Sequence, residues 1–334
     1  MLVKSEDVVE LSIRIGDIEA KRGTKESGFL RVAETSAYSV KLPITVIHGS
    51  KPGPNLCLTA GMHATEYAGI EASTRIVQEV KPEGLSGTLT VVHLVNVPGF
   101  LARSPVCPID NINIYYVFPG EKKGSMSHLI ANTLFTEVIS KANYYIDLHG
   151  GFIEEEMSHW AIKIRETRDR RVDDASKDMC KYFLVKYIYE YELDEGTLHT
   201  SIGAAVKAGI PAMLVEAGGV GIYDENDIAF LKNGILNVMK HLKMLEGAPR
   251  TITDQKRVTK RHLLRAKRGG FFAAEIKAGS LVSKGQIIGK LKDLFGQTLD
   301  TPIAPAGGVI LYRMTPSAVS TGDPLLYIGE LEPF

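Results

Sequence analysis

The stretch NLCLTAGMHATEYAGIEASTRIVQEV (55–80) changes period halfway along. Residues 55–63 are an apolar run that reads as a buried strand, and from Tyr67 onward apolar residues recur three and four apart, as on a core-facing helix. A strand handing over to a helix is the building unit of an α/β fold. The same alternation runs from residue 41 to about 245, with strand-like runs LPITVI (42–47), LTVVHLVNV (89–97), NYYIDLHG (143–150) and PAMLVEAGG (211–219). SHLIANTLFTEVISKA (127–142) and NDIAFLKNGILNVMKHLKML (226–245) carry helical spacing. The order predicts an α/β class: a mixed sheet flanked by helices on both faces.

After Leu245 the pattern changes. GAPRTITDQKRVTKRH (247–262) is polar and basic and reads as a linker, and the chain beyond it is rich in short strand-like runs with Gly and Pro. AGSLVSKGQIIGKL (278–291) and TPSAVSTGDPLLYI (315–328) share Val-x-x-Gly-[Gln/Asp] before an apolar run, at a distance of 37 residues. The repeat predicts two related hairpin units closing a smaller C-terminal all-β domain of barrel-sandwich type, resembling biotinyl/lipoyl modules. Residues 1–246 are then the larger domain and 247–334 the smaller. A carrier role needs a lysine at the hairpin tip, and the tip GQTLD (296–300) has none; Lys290 and Lys292 end an apolar strand instead.

Composition excludes several classes. Lys+Arg and Asp+Glu both number 39 in 334 residues, so no net field draws nucleic acid or an anionic membrane. Cys57, Cys107 and Cys180 show no CxxC spacing, which speaks against a disulfide framework and a thiolate metal site. The charged N-terminus lacks a signal-peptide core and no stretch reaches the ~20 apolar residues of a membrane span. A cytoplasmic location is expected; a homo-oligomer is compatible with the sequence but not specified by it.

His63 and Glu66 stand three apart where the first strand meets its helix, and His149 ends the run NYYIDLHG. Two imidazoles and one carboxylate at strand ends match the three-protein-ligand set of catalytic zinc, with a fourth position left for water. One Zn²⁺ per chain is expected on His63, Glu66 and His149. Asp147, two residues before His149, projects to the same strand face and is a candidate for orienting a ligand. Glu216 ends an apolar strand before two glycines, the candidate general base and acid.

In order, GMHATE, VNVPGFLARSPVCPIDNINIYYVFPG, DLHGG and VEAGG resemble the succinylglutamate desuccinylase/aspartoacylase family of zinc carboxypeptidase-like hydrolases, from about residue 30 to the end. The resemblance implies cleavage of an N-acyl amide, with zinc on His63, Glu66 and His149 and a proton-transferring Glu216. One departure stands out. The family's middle block usually ends Asp-Leu-Asn-Arg before Phe-Pro-Gly, an Asn-Arg pair that grips a carboxylate; here Asn113-Ile114-Tyr115-Tyr116 stands in that place. Neutral phenols cannot replace a bidentate guanidinium. Asn113, Tyr115 and Tyr116 are therefore expected to contact a small N-acyl substrate that differs from the usual ones, and Arg103 to polarise its scissile carbonyl. Rival readings are a zinc carboxypeptidase or peptide amidase, and a zinc-containing ligand-binding protein without catalysis.

Overall fold

The computed structural model describes residues 11–166 and 168–334; the first ten residues of the expected larger domain lie outside them. Twelve strands among the described residues join one mixed sheet. Its centre is parallel: Lys51–Ala60 lies between Ser86–Val92 and Tyr144–His149, and Tyr144–His149 runs beside Ala212–Gly219. Both faces are covered. Ala68, Ala72 and Ile76 of helix Tyr67–Glu79 pack with Ile228, Leu231 and Ile235 of helix Glu225–His241 on one face. Ile130 and Leu134 of helix Met126–Glu137 and Ile202 of helix Ser201–Lys207 cover the other. The mixed α/β architecture is as the alternation of periods predicts, because strands buried on both faces must be apolar throughout. Cys57, Cys107 and Cys180 are all buried and free, as small apolar residues.

Residues 247–262 depart from expectation. They are not a linker throughout, since Lys256–Arg265 is a strand, parallel to Tyr187–Glu192 and antiparallel to Pro324–Pro333. Its basic side chains hide it from a reading by hydrophobicity: Arg257 pairs with Glu332 (3.0 Å) and His262 with Glu330 (2.5 Å) on the neighbouring strand. Through this strand the sheet continues across residues 246 and 247, and Gly308–Met314 pairs directly with Glu155–Arg165. A separate four-stranded sheet built on Gly270–Ala274 and Gly289–Lys292 completes the C-terminal part. Its own core includes Phe272, Ile288, Leu291, Ile310 and Leu325. The repeat has a backbone cause: Gly285 and Gly322, equivalent in the two copies, both turn at left-handed φ of +83° and +92°.

Candidate metal centre

Three parallel neighbours deliver the site at their carboxyl ends, where open α/β sheets bind ligands. Ala60 is level with Leu148, and Glu216 with His149. Past Ala60 the chain turns through Gly61 at φ +63°, where a Cβ would meet Leu94 at 2.6 Å. This turn swings His63 and Glu66 over the strand ends. Alternation then puts Tyr145, Asp147 and His149 on one face of their strand and Ile146 and Leu148 on the other.

His63, Glu66 and His149 are buried together, with one ligand atom from each within 4.8 Å of the others. Glu66 Oε1 is 2.8 Å from His63 Nδ1, Glu66 Oε2 is 3.1 Å from His149 Nδ1, and the two Nδ1 atoms are 3.2 Å apart. A tetrahedral ion with bonds of ~2.0–2.1 Å would set ligand edges of roughly 3.3–3.4 Å, and these contacts, which use both carboxylate oxygens, are slightly shorter. The protons point the same way. Asn113 Oδ1 accepts from Tyr115 N (3.0 Å), which fixes the amide, so His63 Nε2 at 3.1 Å is the donor and His63 Nδ1 carries the lone pair. Asp147 Oδ2 lies 3.1 Å from His149 Nε2, poorly aligned for a hydrogen bond but favouring the proton on that nitrogen. Two imidazole Nδ1 atoms and a carboxylate thus converge on one point, and Glu66 Oε2 is buried without a hydrogen bond. A cation is what such a donor set fits.

Asp147 is fully buried and held on both oxygens. Thr59 donates to Oδ1 (2.6 Å) and Ser201 to Oδ2 (2.5 Å), while Tyr145 donates to Thr59 (2.7 Å). Burial works against its charge, yet His149 and these hydroxyls hold it below the usual carboxylate range. Burial would likewise discharge His149, but the Asp147 and Glu66 carboxylates raise it well above an ordinary imidazole. Glu216 goes the other way: burial first, then Glu66, Glu155 and Asp147, hold it well above the usual range against the pull of His149. Its Oε2 is buried without a partner.

His63, His149 and Glu216 border a cavity of about 400 Å³, together with Tyr115 and Tyr116. Tyr115 is buried, its ring 5.2 Å from that of His149, and desolvation keeps it a phenol. Asn113 does not line the cavity; its side chain backs His63 and caps the turn Ile114–Tyr116. Arg103 is exposed, in left-handed conformation at the end of helix Val97–Ala102, and is not among the lining residues. Trp160 lines the cavity, whereas His159 next to it turns away to Asp227 (2.6 Å), and Tyr223 bonds Arg75 and Glu71. In the acidic run 154–156, Glu156 pairs with Arg313 (2.6 Å) and Glu155 accepts from Phe152 N (3.2 Å).

Sequence spacing did not reveal the far wall, made by Tyr191 and, from the C-terminal part, Arg261, Tyr312 and Tyr327. These come from strands distant in sequence, brought near by the pairing of Lys256–Arg265 with Tyr187–Glu192 and with Pro324–Pro333, and of Gly308–Met314 with Glu155–Arg165.

The chain is 26% identical to the N-alpha-acetyl-L-2,4-diaminobutyric acid deacetylase of Halomonas elongata over 324 residues, 92% of each protein. Its fold matches the product-bound ectoine utilization protein EutE (DoeB) of Ruegeria pomeroyi, with TM-score 0.84 and 25% identity over 92% of this chain and 96% of that one. A succinylglutamate desuccinylase from Silicibacter sp. shares the fold at TM-score 0.84 and 24% identity, over 96% and 100% of the two chains. The succinylglutamate desuccinylase/aspartoacylase catalytic domain matches residues 52–242, more than half of the sequence, and the chain belongs to that family.

Proposed function

We propose that this chain is a zinc-dependent deacylase that hydrolyses the amide of a small N-acyl amino acid or N-acyl amine. The observation that carries the proposal is the convergence of His63 Nδ1, His149 Nδ1 and the Glu66 carboxylate beside Glu216. The deacetylase named in Halomonas elongata and the family match support amide cleavage as the reaction class. Zinc, when bound, supplies Lewis acidity, polarising a carbonyl and bringing the pKa of water to near ~7.

The chain's own residues do the rest. Asp147 and Asn113 orient the two imidazoles from behind. Glu216, desolvated and unpartnered at Oε2, takes the proton from the attacking water and returns it to the leaving nitrogen. Tyr115 and Tyr116 contact the substrate. Arg103, proposed to polarise the scissile carbonyl, stands outside the cavity lining, at the exposed end of helix Val97–Ala102.

Residues 1–246 act as the hydrolase domain and 247–334 as a barrel-sandwich-type module that walls the cavity. A space of about 400 Å³ closed on that side suits a small molecule better than a polypeptide, which disfavours a peptidase. Among the described residues no helix is long and apolar enough to cross a membrane.

The test is hydrolysis of a panel of N-acyl amino acids and N-acyl diamines by zinc-loaded protein. Turnover abolished by a chelator, restored by zinc and lost in Glu216→Ala is the expected result. One bound zinc with no turnover of any amide would replace the proposal with a ligand-binding role.

A further inference from the structure

Arg261 lines the same cavity as His149 and Glu216, although it belongs to the strand Lys256–Arg265. Its guanidinium carbon sits 4.6 Å from the ring centre of Tyr189, 4.8 Å from Tyr191, 5.4 Å from Tyr327 and 5.9 Å from Trp160. It hydrogen-bonds the Tyr191 hydroxyl, and its Nε is buried with no partner. Nearby basic residues of the strand differ: Arg257 and His262 pair with Glu332 and Glu330, whereas no described carboxylate comes within ion-pair distance of Arg261. Asp194 also borders the cavity, but it is exposed and its carboxylate accepts from Thr197 N (2.9 Å).

Ring faces stabilise the cation without using its N–H donors, so a five-donor fork is held in a low-dielectric wall with most of its hydrogen-bonding capacity unspent. Carboxylate is the group that fork fits bidentately. The loop positions where the family's Asn-Arg pair stands are Tyr115 and Tyr116 here, on the same cavity. That loop presents phenols to the cavity, and the guanidinium on it comes from the C-terminal strand. Ile162 and Leu214 also line the cavity, so its surface is apolar beside the aromatic wall.

We propose that Arg261 binds a carboxylate of the substrate, and that the substrates are N-acyl compounds whose carboxylate is separated from the scissile amide by an apolar or aromatic body. This rests on the amide hydrolysis proposed above. The carboxylate belongs either to the amine half or to the acyl half of the molecule.

Zinc-loaded wild type, Arg261→Met and Arg261→Lys are assayed on N-acetyl-4-(2-aminoethyl)benzoate, N-adipoyl-phenethylamine and neutral N-acetyl-phenethylamine. Wild type is expected to prefer one of the two acids, which identifies the half that carries the charge. Arg261→Met should lower kcat/KM on that acid by about tenfold or more, mainly through KM, and leave the neutral amide within about twofold. Arg261→Lys should keep part of the preference, as charge survives without the fork. Equal losses on all three compounds, or a wild type indifferent to the carboxylate, would overturn the proposal and leave Arg261 a packing residue. Arg261→Gln replaces the Met variant should that fail to fold. If wild type cleaves none of the three, the amide-hydrolysis proposal is what fails for these compounds, and calorimetric binding of the two acids decides on Arg261. Binding that disappears in Arg261→Met supports it, and binding unchanged or absent in both proteins overturns it.

Discussion

Glu216 stands level with His149 on the adjacent parallel strand, so one register places the proposed proton acceptor next to a candidate metal ligand. A shift of that register by one residue would turn Glu216 to the opposite face of the sheet, into the apolar layer that Val215 and Ala217 now fill.

Glu216 lies outside the ligand set, so Glu216→Gln should keep its zinc and lose its proton transfer. A drop in kcat of ~10²–10⁴-fold is expected, with zinc content per chain unchanged by elemental analysis. A variant with normal kcat would assign the proton to another group.

Asp147 is worth testing separately because it does not line the cavity. Asp147→Asn keeps the shape but removes the charge that favours a proton on His149 Nε2. Zinc affinity should fall ~10–100-fold, read by competition with a chromophoric chelator, and excess zinc should restore most of the activity. Affinity equal to wild type would show that Thr59 and Ser201 hold a residue with no influence on the metal.

His93 gives a prediction about stability. Its Nδ1–H donates to Ser73 Oγ (3.0 Å), whose own proton goes to Ile70 O (2.6 Å), and its Nε2 accepts from Thr45 (2.9 Å). The neutral ring satisfies every contact, and burial lowers its pKa to about 4. An unfolded histidine titrates near ~6.5, so the unfolded chain binds the proton first as pH falls. This contribution is therefore intact above pH ~6.5 and declines toward pH ~4, by at most about 3 kcal/mol. Urea unfolding at pH 7 and pH 4.5 should show a smaller decline in His93→Gln than in wild type. Identical declines would mean that His93 titrates normally in the fold.

Strand ends were the readable part of this molecule. His63, His149 and Glu216 each close an apolar run near glycines, so periodicity alone puts them at one edge of a sheet, and the fold brings all three to one cavity. Direction of a side chain in a loop was not readable: Asn113 backs His63 instead of facing the cavity, because its carbonyl is drawn to Tyr115 N and the imidazole. Arg103 shows the same limit, exposed at a helix end. The far wall was hidden for another reason. Arg261 sits in a stretch that looks like a basic linker, and its place depends on strand pairs between residues about 70 apart in sequence. KRVTKRHLLR (256–265) shows no apolar alternation, only Val258 and the pair Leu263-Leu264, and its charges find partners on the neighbouring strand.

The central claim is a single divalent ion held by two imidazole Nδ1 atoms and one carboxylate, and anomalous X-ray scattering from zinc-soaked crystals tests it most directly. One peak per chain at ~2.0–2.2 Å from His63 Nδ1, His149 Nδ1 and a Glu66 oxygen is expected, lost in His149→Ala. A protein that takes up no zinc there, or binds it only elsewhere while these three side chains stay hydrogen-bonded to one another, would contradict the account.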